Sequence, residues 1–295
     1  MSAVSITPIQ RIKQYLSLIK FSHTVFALPF AFIGFSLAVI YEQKTFEWHL
    51  LVKMLLCMVF ARTAAMAFNR YLDRNIDALN PRTAKREIPA GVIKPQNALW
   101  FVIINCASFV ITCYFINMLV FYLSFIALFV VLFYSYTKRF TALCHLVLGL
   151  GLSLAPIGAY LVVTGTFSWL PLLFSFIVLT WVSGFDIIYA LQDEGFDKEH
   201  KLHSIPAALG IKGGLSVSTS LHIISGLLVI AAGYSASFNW IYWAGAAIFI
   251  GLLIYQHMLV KPTDLSKVNI AFMTTNGIGS IVFAIFTIVS LIFQS

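Results

Sequence analysis

The run WLPLLFSFIVLTWVSGFDIIYALQDEGFD, residues 169–197, decides the fold. From Trp169 to Phe185 it carries no charge, as a helix crossing hydrocarbon requires over about 20 residues. Asp186, Asp193 and Asp197 then follow at intervals of seven and four. Residues four apart share one face of a helix, and seven residues are two turns, so the three carboxylates form one stripe at the end of a span. An earlier stretch repeats the pattern: NRYLDRNID, residues 69–77, places Asn69, Asp73 and Asp77 on one stripe behind another apolar run.

The rest of the chain is built around these two segments. Of 295 residues, 60% are hydrophobic, 27 are Phe, and the mean hydropathy is +0.91. Soluble domains are about 45–50% apolar, so this is a polytopic membrane protein whose first partner is the lipid bilayer. Candidate spans fall at 15–40, 48–72, 97–114, 117–137, 142–163, 169–191, 213–234, 238–258 and 270–292. The expected fold is an all-α membrane bundle of about nine transmembrane helices. A single transmembrane domain is expected over residues 1–295.

Lysine and arginine alternate by side. Arg11, Lys13 and Lys20, the group from Arg70 to Lys94, Lys138 and Arg139, Lys198 to Lys212, and Lys261 and Lys267 share one side, whereas Lys44 and Lys53 lie opposite. The positive-inside rule then makes the N-terminus and the motif loops near 69–94 and 189–212 cytoplasmic, in a multi-pass inner (cytoplasmic) membrane protein with its C-terminus outside. Topology thus accounts for the net charge of +8, and nucleic acid is not an expected partner. The first apolar run continues past Pro29 to Ile40 without an A-x-A site and reads as the first span, not as a cleaved signal. Cys57, Cys106, Cys113 and Cys144 stand singly in apolar spans and read as packing residues.

Only 10% of residues are charged, yet eight of the eleven acids lie in or beside the two motif segments. A carboxylate left in lipid costs roughly 2.5–3.5 kcal/mol, so the stripes should face a shared polar cavity. Their mutual repulsion, with no balancing stripe of cations nearby, calls for a hard divalent ion. Mg²⁺ binds through one or two carboxylates plus substrate phosphates, so paired D-x-x-x-D stripes suit a metal-bridged diphosphate. Asp73, Asp77, Asp193 and Asp197 are the expected metal ligands. Asn69 and Tyr189 occupy matching positions as substrate contacts, and Arg70 or Arg74 is placed to meet a phosphate. One D-x-x-x-D alone is ordinary on a solvated helix. Two change the reading, and Ile88-Pro89-Ala90 is echoed by Ile205-Pro206-Ala207. The duplication implies two related four-helix halves plus one helix, an arrangement that many transporters also use. A secondary transporter with an acidic central site is therefore the rival.

The pattern N-x-x-x-D-x-x-x-D, the later D-x-x-Y-A-x-x-D-x-x-x-D and the N-P-R-T…R-E-I-P-A-G continuation from Asn80 to Gly91 resemble the UbiA superfamily of intramembrane aromatic prenyltransferases. The resemblance covers essentially the whole chain. It implies Mg²⁺-dependent transfer of a polyprenyl group from polyprenyl diphosphate to an aromatic ring, with the tail in an apolar channel. KFSHTVFALPF and GFDIIYALQD look most like the 4-hydroxybenzoate polyprenyltransferase branch of ubiquinone synthesis, with a dihydroxynaphthoate acid of a menaquinone route as the other acceptor. Clustered aspartates also serve the alcohol phosphatidyltransferases, but their D-G-x-x-A-R signature has no match here.

Arg62 lies seven residues before Asn69, two turns deeper on nearly the same face, and suits bidentate binding of the acceptor carboxylate or a diphosphate oxygen. It also suits an ion pair with Asp186. Asp186 is in turn either the group that takes a proton from the acceptor or a counter-ion of Arg62. Tyr134 and Lys138 form a Y-x-x-x-K pair that resembles one used near the diphosphate in the family; an interfacial aromatic with a positive-inside lysine reads the same way. Lys20 reaches the headgroup or snorkels. His200 and His203 beside Asp197 suggest a transition metal, but the surrounding carboxylates favour Mg²⁺. His49, His145, His222 and His257 have no expected role.

Overall fold

A computed structural model describes residues 8–19 and 26–294. The expected Lys20 contact lies outside them. The chain forms α1 (Pro8–Leu18), α2 (Leu28–Ser36, prolonged by a π-helical turn Leu37–Tyr41), α3 (Trp48–Leu79), α4 (Pro95–Tyr114), α5 (Met118–Thr137), α6 (Cys144–Thr164) and α7 (Trp169–Ala190). It continues through α8 (Glu194–Glu199), α9 (Ile205–Ser235), α10 (Trp240–Leu259) and α11 (Asn276–Ile292, entered through a π-helical turn Ile270–Thr275). Among the described residues eight helices are long and apolar enough to cross a membrane, roughly the expected nine, and Leu28–Tyr41 is a shorter apolar helix. The all-α bundle is thus as expected, with one correction at its start. Pro29 stands in the first turn of α2, and the chain before it forms the separate helix α1. Pro favours the first helical turn because its missing N–H costs nothing there.

Local chemistry sets the other boundaries. Asn117, Asn239 and Ser204 cap α5, α10 and α9, their side chains accepting from Val120, Ile241 and Ala207 N–H. Two glycines mark the repeat. Gly91 has φ +73° between Ile88-Pro89-Ala90 and the start of α4; Gly210 has φ +71° between Ile205-Pro206-Ala207 and the long part of α9. That left-handed backbone favours glycine. Each half therefore turns through I-P-A and a left-handed glycine before its next span, although the second copy is already wound as a first helical turn.

α7 is the most enclosed of the spans, packed between α6 and α9, and α2 packs on α6. Apolar side chains gain little by leaving lipid for each other, so close approach and internal hydrogen bonds hold such bundles together. Gly149 of α6 lies so close to α7 that a Cβ there would be 2.5 Å from Leu179 O. Trp181 Nε1 donates to Asn276 Oδ1 at 2.8 Å, tying α7 to α11, and His222 Nδ1 meets His257 Nε2 at 2.8 Å between α9 and α10. α5 is the least enclosed, with Phe125 and Phe129 more than half exposed. The 32 residues of α3 extend about 48 Å, well beyond a hydrocarbon core of about 30 Å. Its last turns carry the first acidic stripe.

Candidate active site

The two stripes face one cavity of about 670 Å³. Asn69, Asp73 and Asp77 enter from α3, Asp186 and Tyr189 from α7, and Asp193 and Asp197 from the turn and short helix that follow. Arg62, Arg70, Tyr134 and Lys138 line it as well. With one exception, the described site residues expected from the sequence thus meet in one place. Arg74 does not: its guanidinium donates to Tyr71 O at 2.7 Å and lies over the Tyr71 ring.

The acids are not left to repel one another, which corrects the expectation of missing cations. Asp73, 1% exposed, takes Lys138 Nζ at 2.7 Å, Arg139 Nη2 at 3.0 Å and Asn69 Nδ2 at 3.1 Å. Lys138 is therefore a cavity residue and not an interfacial anchor. Asp77 Oδ1 takes Arg86 Nη1 at 2.7 Å, and Thr83 Oγ1 donates to the Asp77 carbonyl. Asp193 is held from the other half of the molecule: Arg82 Nε reaches Oδ1 at 2.9 Å, Arg82 Nη2 bonds Oδ2, and Asn80 Nδ2 donates at 3.1 Å. A buried carboxylate is costly unless paired in this way. Burial pushes the Arg82 guanidinium down, but its hydrogen bond to Asp193 and that charge outweigh burial, and the net shift is upward. Arg82 also donates to Tyr189 OH at 2.8 Å, and Tyr189 stacks on Phe272 at 4.2 Å between centroids. Ser204 Oγ donates to Asp197 Oδ2 at 2.8 Å.

Deeper in the cavity Asp186 is paired with His145 of α6, Nδ1 lying 2.7 Å from Oδ2; the sequence reading had offered Arg62 as one alternative for such a pair. His145, Arg82, Arg86 and Arg139 are the site residues that sequence reasoning missed. Arg82 and Arg86 were signalled by the N-P-R-T…R-E-I-P-A-G stretch; His145 had no signal at all.

Oxygen donors of this kind fit Mg²⁺. Asp77 Oδ2 and Arg70 Nε, both buried and facing the cavity, have no hydrogen-bond partner among the described residues, as a carboxylate awaiting a cation and a guanidinium awaiting an anion would. Among the described residues no group of three or more His, Cys, Asp and Glu is gathered to hold a metal ion.

Beneath the polar cavity lies an apolar chamber of about 290 Å³, bounded by α3 to α6 and reaching from Tyr134 to Phe167. Arg62, Met66, Tyr134, Leu148 and Leu152 line both spaces, so the two meet there. Phe26, Phe185 and Phe272 form an aromatic wall on the far side of the polar cavity, with centroids 5.2 to 5.4 Å apart. One end can hold an anion and the other a long hydrocarbon.

The family model described as the UbiA prenyltransferase family matches residues 27–278. A 4-hydroxybenzoate octaprenyltransferase of Aliivibrio fischeri (strain MJ11) is 29% identical over 250 residues, 84% of this chain and 86% of that one. The apo structure of a UbiA homolog from Aeropyrum pernix K1 superposes with a TM-score of 0.78 at 30% identity, covering 92% of this chain and 98% of the other. A UbiA homolog from Archaeoglobus fulgidus, bound to GPP and Mg²⁺, gives a TM-score of 0.76 at 20% identity over 94% and 99%.

Proposed function

This chain belongs to the UbiA prenyltransferase family, and from that membership we propose that it transfers a polyprenyl group from polyprenyl diphosphate to the ring of a small aromatic acid, with 4-hydroxybenzoate as the first candidate. The observation that carries the proposal is the junction at Arg62 and Tyr134, where a chamber fit for a hydrocarbon tail opens into a cavity lined by both acidic stripes. The relatives named for 4-hydroxybenzoate support the acceptor. The homolog with GPP and Mg²⁺ supports the donor and the metal.

In this reading Asp73, Asp77, Asp193 and Asp197 hold Mg²⁺, which stabilises the charge that develops on the leaving diphosphate. Arg70, Lys138, Asn69 and Tyr189 orient the phosphates, and the Arg82 and Arg86 charges keep so many anions together. The aromatic wall faces the allylic carbon as its C–O bond weakens; ring faces attract a cation and keep water from it. Arg62 receives the acceptor carboxylate, and Asp186 takes the ring proton. The basic residues beside the stripes support a multi-pass orientation in the cytoplasmic membrane with the cavity mouth on the cytoplasmic side.

The test mixes detergent-purified protein with Mg²⁺, polyprenyl diphosphates and a panel of aromatic acids, and reads product mass. A prenylated 4-hydroxybenzoate is expected. No prenylated acid from any member of the panel contradicts the proposal.

A further inference from the structure

We propose that His145 is a positioning residue for Asp186, a fixed bracket that aims the carboxylate into the cavity without passing its own proton on. The inference rests on the reading of Asp186 given above. His145 is 3% exposed, and its two ring nitrogens have different partners. Nε2 lies 3.4 Å from the backbone nitrogen of Ile205, and Nδ1 lies 2.7 Å from Asp186 Oδ2. The Ile205 amide is at the start of α9, where the first N–H groups have no carbonyl partner within the helix. An amide only donates, so Nε2 presents its lone pair and Nδ1 holds the proton. The imidazole thereby aims its Nδ1–H at Asp186, and the carboxylate accepts from it. Asp186 keeps 22% of its side chain exposed while that of His145 keeps 4%, so the acid reaches the cavity and the imidazole supports it from behind.

The step balances without a second proton acceptor. The allylic C–O bond breaks and its electron pair leaves with the diphosphate; a π pair of the acceptor ring forms the new C–C bond. The C–H pair at that carbon then restores the aromatic ring while its proton passes to Asp186, which releases it to water in the cavity. His145 holds the same proton throughout. The start of α9 serves both ends of the reaction, because Ser204, next to Ile205, donates to Asp197 in the second stripe.

The experiment uses full-length protein with Mg²⁺, polyprenyl diphosphate and 4-hydroxybenzoate carrying hydrogen or deuterium on the ring, and compares His145→Gln, His145→Ala and Asp186→Asn. Gln supplies one N–H for Asp186 and one carbonyl for the Ile205 amide, and does not titrate. We expect His145→Gln to turn over within a few fold of the unaltered enzyme. His145→Ala should lose about 10- to 100-fold in kcat, the range seen when the outer partner of a functional group is removed. Its KM for the diphosphate should hold, and it should show a primary deuterium isotope effect that the unaltered enzyme lacks, because proton loss has become slow. A His145→Gln variant as impaired as His145→Ala overturns the bracket. So does a loss in His145→Ala without an isotope effect, which marks a merely structural role. Full turnover by Asp186→Asn overturns the base assignment and the bracket with it. Failure of the unaltered enzyme to prenylate any acid refutes the proposed function instead. Polyprenyl diphosphate binding on the same preparations reports that each variant is folded.

Discussion

Arg62 stands where the polar cavity passes into the apolar chamber, which in the proposed function sets its guanidinium beside the allylic end of the donor, within reach of the acceptor. A charged hydrogen bond contributes about 1.5–3 kcal/mol, so Arg62→Ala should raise KM for the aromatic acid roughly 10- to 100-fold. Affinity for polyprenyl diphosphate should hold; if donor affinity falls instead, Arg62 is a phosphate ligand. Asn69, Asp73 and Asp77 were legible in the sequence because helical spacing puts them on one face of α3, whereas the expected second stripe is broken: Tyr189, Asp193 and Asp197 reach the same cavity from α7, the turn after it and α8. Which cation pairs with which acid was not legible, since Arg82 meets Asp193 across 111 positions and no periodicity links them. His145 was invisible for the same reason: a lone histidine near a span end acquires a role only when packing of α6 on α7 sets it against Asp186.

At the scale of elements the bundle depends on glycines that let helices touch. A Cβ on Gly34 of α2 would lie 1.9 Å from the carbonyl oxygen of Pro156 in α6, a backbone atom that cannot move aside. Gly34→Ala should therefore cost about 1–3 kcal/mol, as overpacking does, and lower the Tm in detergent. An unchanged Tm contradicts that contact. The loop from Asn80 to Lys94 reaches the second half through Arg82 and Asn80, both bonded to Asp193. Arg82→Ala should speed amide hydrogen exchange across that loop and weaken diphosphate binding, and exchange at the rate of the unaltered protein would show the bond to be idle. Span order and number were readable from hydropathy. The beginning of the first was not, because the apolar run reads through Pro29, where the structure starts a new helix.

For the whole molecule the two chambers form one path, polar at the C-terminal end of α3, where the first acidic stripe lies, and apolar along its apolar length. Nothing lies within 4 Å of a Cβ built on Gly158, in the wall of the apolar chamber, so a large side chain there projects into the path and not into a neighbouring helix. Gly158→Phe should sharply lower kcat/KM for long polyprenyl donors and spare a two-isoprene donor; equal losses for both would place the tail elsewhere. The central claim is that both stripes belong to one diphosphate site, and the most direct measurement is Mg²⁺-dependent binding of polyprenyl diphosphate to Asp73→Asn, Asp193→Asn and the double variant. One diphosphate per chain is predicted, with each single variant weakened and the double variant losing less than the sum of the two, as groups sharing a ligand do. Additive losses, or a second diphosphate that survives in either single variant, would mean two independent sites and contradict the account.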